Sequence, residues 1–181
     1  MNADRTIRNL ALIGFMGTGK STVGHAAAYQ LGFDFVDTDR LIETRAGKSV
    51  ADIFAQEGEE VFRELERQVV ENLAQCDRTV IATGGGLGAN LDHLASLKRH
   101  ALVVCLWTTA DVIWERVRHH SHRPLLQVPN PRAHIRELLA RREPFYRQAD
   151  VLVNTGPRQL RDVIRHVLRE FASARRSARR R

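Results

Sequence analysis

The sequence predicts an α/β fold, a five-stranded parallel sheet flanked by helices on both faces. Three observations predict it. Short apolar runs alternate with helical segments along most of the chain. The runs are apolar throughout, as strands covered on both faces must be. The first run passes directly into a glycine-rich loop that opens a helix.

Taken in order, Asn9–Phe15 reads as a buried strand ending in glycines, and Lys20–Leu31 as a helix stopped by Gly32. Phe33–Val36 is a second strand running into Asp37-Thr38-Asp39. Arg40–Ala46 and Val50–Gln56 are short helices broken at Gly47 and Gly58. Glu59–Ala74 is amphipathic, with Val61, Phe62, Leu65, Val69 and Leu73 on one face. Thr79–Ala82 is a third strand, stopped by Gly84-Gly85-Gly86. Leu91–Lys98 is a helix and Ala101–Trp107 a fourth strand. Thr109 caps a helix over Ala110–Arg118. His119–Asn130 has no periodicity and holds two prolines, so it is a loop. Arg132–Arg142 is helical. Pro144 pushes Glu143 out of the α region and predicts a break near Arg142. Val151–Asn154 is a fifth strand, and Pro157 starts a last helix through about Phe171.

Length and composition bound the rest. The 181 residues suit one domain, and 43% hydrophobic residues are enough for a core. No run approaches the ~20 apolar residues of a membrane span. Cys76 and Cys105 stand far apart in no CxxC pair, which excludes a disulfide framework or a four-cysteine zinc site and suits a reducing compartment. The first ten residues lack the apolar core of a signal peptide, so the expectation is a cytoplasmic protein. The net charge of +7 hints at a polyanion partner. Five of the last seven residues are arginine, however, and without those five the charge falls to +2. The expectation is a single domain over 1–174 with a solvated, disordered basic tail at 175–181, and no specific nucleic-acid partner.

The strongest signal is Gly14-Phe15-Met16-Gly17-Thr18-Gly19-Lys20-Ser21, which matches GxxxxGK[ST] in the strand-to-helix setting that the motif needs. Glycines let such a loop close so that backbone N–H groups point at phosphate oxygens, and the helix N-terminus adds partial positive charge. Gly17, Thr18 and Gly19 supply the loop. Lys20 supplies a point charge for the β- and γ-phosphates, Ser21 a hydroxyl for Mg²⁺, and Thr22 a contact for the α-phosphate. No NKxD is present, and the chain is short for a GTPase. A kinase of a small molecule or nucleotide, with ATP as co-substrate, is the natural class.

The motifs GFMGTGKST, FVDTDRLIE, SVADIFAQEGEEVFRELE, TGGG, RPLL and RREPFY, in this order and spacing, resemble shikimate kinase from about Asn9 to Phe171. The resemblance implies the P-loop kinase fold of the nucleoside monophosphate kinase type. It also implies transfer of the ATP γ-phosphoryl group to the 3-hydroxyl of shikimate, a monomer, one Mg²⁺ per site, substrate-binding helices over about 38–74 and a mobile lid over about 119–131. Within it, Asp37 matches a residue that helps hold Mg²⁺, commonly through water, and Asp39 one that bonds substrate hydroxyls. As neighbours i and i+2 at a strand end, both carboxylates are expected on the side of the phosphate loop.

Arginine suits a carboxylate because its planar fork gives two parallel hydrogen bonds. The resemblance places Arg63 and Arg142 on the shikimate carboxylate, with Glu66 three residues on as a brace for Arg63. Gly84, Gly85 and Gly86 would let backbone N–H groups approach the substrate, and Phe54 and Phe62 match walls of its pocket. Arg123 matches a lid arginine that swings over the phosphates. Arg116 and Arg158 are candidates for the nucleotide. His119, His120 and His122 read as solvated lid residues rather than metal ligands. The rival kinases are those of gluconate, which lack this DTD and FRxLE arrangement, and of nucleotides, which tend to carry Gln where Thr22 stands.

Overall fold

The computed structural model describes residues 5–119, 126 and 128–179. Five parallel strands, β1 (Asn9–Ile13), β2 (Asp34–Asp37), β3 (Thr79–Ala82), β4 (Ala101–Trp107) and β5 (Val151–Asn154), form one sheet in the order β2-β3-β1-β4-β5. Among the described residues eight α-helices lie around it: α1 (Lys20–Leu31), α2 (Thr38–Ala46), α3 (Val50–Gln56), α4 (Gly58–Leu73), α5 (Leu91–His100), α6 (Ala110–Val117), α7 (Pro131–Tyr146) and α8 (Leu160–Arg179). A short 3-10 turn spans Leu87–Ala89.

Successive side chains of β1 go to opposite cores. Ala11 and Ile13 join Phe62, Val69, Leu94 and Ile135 on one face. Leu10 and Leu12 join Val23, Val163, Val167 and Phe171 on the other. Burial on both sides accounts for the continuous apolar strands of the sequence. Because all strands run parallel, the loops after β1, β2 and β3 emerge at the same edge. Register puts Asp37 beside Ala82, and Ala82 beside Leu12. The residues that follow are therefore neighbours across three strands, where open parallel sheets bind ligands.

Helix starts follow their capping residues. Ser49 accepts from the Asp52 N–H, Asn90 from those of Asp92 and His93, and Thr109 from that of Val112. Asn130 accepts from the Ala133 N–H, with Pro131 opening α7.

Four sequence expectations are corrected. The first strand ends at Ile13 rather than Phe15, because Gly14 at φ +135° already belongs to the loop. In α4 Val61 is exposed, and Glu66 and Val70 take buried places on the packed face. Helix α7 does not break near Arg142 but continues through Pro144 to Tyr146. The missing proline N–H weakens this turn, and tertiary contacts hold it instead: Arg142 and the buried Tyr146 both donate to the Gly85 carbonyl.

The basic end differs as well. The last helix starts at Leu160 rather than Pro157 and extends to Arg179, so residues 175–179 are helical, not a disordered tail. Arg175 explains the extension, since its guanidinium lies 5.8 Å from the Phe33 ring centroid and 5.6 Å from that of Phe171. Arg180 and Arg181 lie outside the described residues.

Beneath the sheet, Asn9 ties three segments together. Its Nδ2 donates to Cys76 O at 2.7 Å and to His100 Nδ1 at 3.0 Å, and its Oδ1 accepts from the Thr79 N–H. His100 is thus required as a neutral acceptor. Burial pushes its pKa down to about 4, helped by Arg8, Arg99 and Arg5. The unfolded chain binds this proton near pH 6.5 and the folded chain does not. Stability is therefore expected to fall as pH drops from about 6.5 to about 4 and to level off below that for this group. Urea midpoints at steps across that window should drop less in His100→Gln than in the parent; identical curves would overturn the assignment.

Candidate active site

The loop between β1 and α1 is built by its glycines. Gly14, Gly17 and Gly19 take φ of +135°, +73° and +94°, which side-chain-bearing residues rarely adopt. Gly14 also has no room for a Cβ, which would lie 2.1 Å from the Leu106 carbonyl oxygen. The buried Thr18 hydroxyl donates back to Phe15 O at 2.8 Å and tightens the turn. Lys20, buried at the start of α1, donates to Gly14 O and Phe15 O, both at 2.9 Å. Its ammonium therefore lies across the loop.

A cavity of about 500 Å³ opens over this loop. It is bordered by Gly17 through Thr22, by Asp37 at the end of β2 and Asp39 in α2, by Gly85 after β3, and by Arg116 and Arg158. Arg116 is held by three acceptors: Gly17 O, Thr155 Oγ1 and Thr155 O. Arg158 contacts His166.

The two aspartates share this cavity for a different reason from the one expected. They are not alternate residues of a strand. Asp37 closes β2 and caps α2, its Oδ1 accepting from the Asp39 N–H at 3.1 Å. Its other oxygen accepts from the Ser21 hydroxyl at 2.9 Å, linking the cap to the phosphate loop. Asp39 belongs to the first turn of α2, where its charge also suits the helix N-terminus.

The second half of the site gathers on Gly84-Gly85-Gly86. Thr38 Oγ1 accepts from the Gly84 N–H at 2.7 Å, fastening the turn to α2. A Cβ on Gly84 would lie 2.2 Å from Asp39 Oδ1, and one on Gly86 would lie 2.8 Å from Arg63 Nη1. On Gly85 it would lie 3.6 Å from Arg142 Nη1. Three charged side chains from α2, α4 and α7 thus close on one turn that has no side chains of its own.

Arg63 is held on both sides, by Glu66 Oε2 at 2.5 Å and by Glu59 Oε1 at 2.8 Å and 3.2 Å. Three of the five guanidinium hydrogens are used, leaving one on each terminal nitrogen. Burial works against the Arg63 charge, but the two glutamates outweigh it and raise its pKa. Burial likewise raises the pKa of Glu66, which is 2% exposed; Arg63 and Arg142 oppose this and Asp39 adds to it. Arg142 rests over the Phe15 ring, 5.4 Å from its centroid. Phe54 and Phe62 stack beside Arg63, with ring centroids 4.6 Å apart.

Among the described candidates, Lys20, Ser21, Asp37, Asp39, Arg63, Arg142 and the glycines come together. Arg116 joins them through its bond to Gly17 O, and Arg158 lines the same cavity. Arg123, His120 and His122 lie outside the described residues. Glu59, Thr38, Thr155 and Tyr146 are additional participants. Glu59, four residues before Arg63, was visible as a helical pair. Tyr146, four after Arg142, was hidden by the expected break at Pro144.

Residues 16–172 match the shikimate kinase family. The chain belongs to the shikimate kinase family. It is 41% identical over 165 residues to the shikimate kinase of Thermodesulfovibrio yellowstonii, covering 91% of this chain and 95% of that one. It is 44% identical over 166 residues to that of Symbiobacterium thermophilum, covering 90% and 95%. A solved shikimate kinase from Acinetobacter baumannii, in complex with shikimate, superposes with a TM-score of 0.88 at 38% identity, over 95% of this chain and 97% of that chain. A gluconokinase from Sinorhizobium meliloti, at 20% identity and TM-score 0.63 over 96% of each chain, shares the fold. Family membership makes this an ATP-dependent kinase. No helix among the described residues is long and apolar enough to cross a membrane.

The closeness of Gly84 to Asp39 makes a sharp test. Gly84→Ala is expected to displace the Asp39 carboxylate and lower kcat at least about 100-fold while the thermal midpoint changes little. Steady-state kinetics and a melting curve on the same sample check this; near-parent kcat would show that Asp39 tolerates displacement.

Proposed function

We propose that the phosphate cavity and the glycine turn together carry out one reaction, transfer of the ATP γ-phosphoryl group to the 3-hydroxyl of shikimate. The products are ADP and shikimate 3-phosphate. The observation that carries this reading is the convergence of Asp39, Arg63 and Arg142 on Gly84–Gly86 beside the phosphate loop. A ring with one carboxylate and several hydroxyls asks for that set: guanidinium for the carboxylate, and an anionic acceptor for a hydroxyl.

In this reading the backbone N–H groups of Gly17–Ser21 and the α1 N-terminus cradle the phosphates. Lys20 exchanges its loop carbonyls for β- and γ-phosphate oxygens, and Thr22 reaches the α-phosphate. Arg116 and Arg158 take the nucleotide end. Arg63 and Arg142 grip the substrate carboxylate, Phe54 and Phe62 wall the ring, and Asp39 orients the 3-hydroxyl and accepts its proton as the O–P bond forms. Because phosphoryl transfer is loose, positioning of this hydroxyl in line with the leaving ADP outweighs strong base catalysis. Arg123 is assigned to the transferring group, and 119–131 to a closing lid, on the sequence resemblance alone.

Ser21 and Asp37 fit Mg²⁺, which prefers hard oxygen donors and needs few of them from protein. Their oxygens lie 2.9 Å apart at the cavity wall. Among the described residues no cluster of three acidic, His or Cys side chains offers an all-protein cage, as suits an ion that retains water. When bound, Mg²⁺ supplies charge neutralisation on the phosphate oxygens. We read the protein as a cytoplasmic monomer of one domain.

The function is tested by ADP release with shikimate, gluconate and nucleoside monophosphates as acceptors; activity with shikimate alone is expected. For the carboxylate grip, Arg142→Ala is cleaner than Arg63→Ala. The former leaves Tyr146 on Gly85 O, whereas the latter strands buried Glu66. Arg142→Ala is expected to raise the KM for shikimate about 10- to 100-fold with the KM for ATP unchanged. Equal loss for both substrates would overturn the assignment.

A further inference from the structure

The turn between β5 and α8 leaves Arg158 on the cavity wall as a long, exposed side chain with many rotamers to lose on binding a ligand. Its partner is His166, two helical turns further along. Arg158 Nη1 stands 2.5 Å from His166 Nδ1. A guanidinium only donates, so Nδ1 must be the acceptor and the ring hydrogen must sit on Nε2. That nitrogen lies 3.5 Å from Glu170 Oε1, one turn on. Glu170 is held in turn by Arg169 at 3.3 Å. Burial lowers the His166 pKa, Arg158 and Arg169 lower it further, and Glu170 opposes, so the neutral acceptor persists at neutral pH. Val163, one turn before His166 on α8, lines the cavity, whereas His166 does not.

We propose that His166, beside Glu170, is a positioning residue for nucleotide binding, fixing the Arg158 guanidinium at the cavity wall. The proposal rests on the reading of Arg158 as a nucleotide contact. The contrast with Arg116 supports it. That guanidinium is anchored by the Gly17 and Thr155 carbonyls and a hydroxyl, whereas Arg158 has one side-chain anchor among the described residues. Losing that anchor leaves the charge in place but makes its ordering part of the cost of binding.

The test compares His166→Ala, His166→Gln, Arg158→Ala and the double variant His166→Ala/Arg158→Ala. Readouts are the KM for ATP, the KM for shikimate, kcat, and ADP affinity by calorimetry. His166→Ala is expected to raise the KM for ATP and the Kd for ADP about fivefold, with the KM for shikimate and kcat little moved. His166→Gln, whose carbonyl can accept from Arg158, should recover most of that loss. In the double variant the His166 change should add nothing beyond Arg158→Ala. Unchanged ADP affinity in His166→Ala, full additivity, or a parallel loss in both substrates would overturn the positioning role. If Arg158→Ala leaves ADP affinity unchanged, the nucleotide reading of Arg158 falls first. An Arg158 effect without a His166 effect overturns this inference alone.

Discussion

The site depends on a turn with no side chains. At Gly84–Gly86 the chain leaves β3 at the level where the phosphate loop leaves β1, and α2, α4 and α7 each send one charged side chain onto it. Any Cβ on the first or third glycine would collide with Asp39 or Arg63. The peptide groups of the turn serve as partners as well. The Gly84 N–H is tied to Thr38, and the Gly85 carbonyl collects both Arg142 and Tyr146. Three helices distant in sequence are thus referenced to one rigid point, and through β3 to the phosphate loop.

Charge at this point is balanced locally. Glu66 is nearly fully buried, and burial alone disfavours its anion; Arg63 offsets that cost, and Glu59 steadies the guanidinium from the solvent side. An arginine braced by two glutamates has little rotamer freedom left, while two of its hydrogens are not used by those glutamates. Across the cavity backbone does the same: Lys20 lies on carbonyls of its own loop and Arg116 on those of Gly17 and Thr155. Arg63, Lys20 and Arg116 are each held in this way by the protein's own acceptors.

Much of this was legible in the chain. The five strands and the order of helices follow from apolar runs and glycine stops, because a parallel sheet buried on both faces leaves an unmistakable pattern. The phosphate loop was readable because its chemistry is local: eight consecutive residues contain the turn, the lysine and the hydroxyl. Arg63 and Arg142 were recognisable by the motifs around them. Less visible were the roles that depend on contacts from elsewhere. Pro144 reads locally as a break, and the helix survives because Tyr146 and Arg142 anchor its last turn on Gly85. Residues 175–179 read as a solvated tail, yet Arg175 finds Phe33 and Phe171 and keeps α8 wound.

The fold class and the phosphate loop are written in the chain, since each depends on neighbours within a few positions or on a strand's own burial, and the resemblance to shikimate kinase pointed to the residues for an anionic, hydroxylated acceptor. How these parts meet was settled by packing. It made Asp37, the last residue of β2, a helix cap bonded to Ser21, and put Asp39 in α2 rather than on the strand. It set three charges against three glycines and turned the basic end into an ordered helix. Those outcomes rest on pairs of residues tens of positions apart, whose approach is set by strand order and register and by no local pattern.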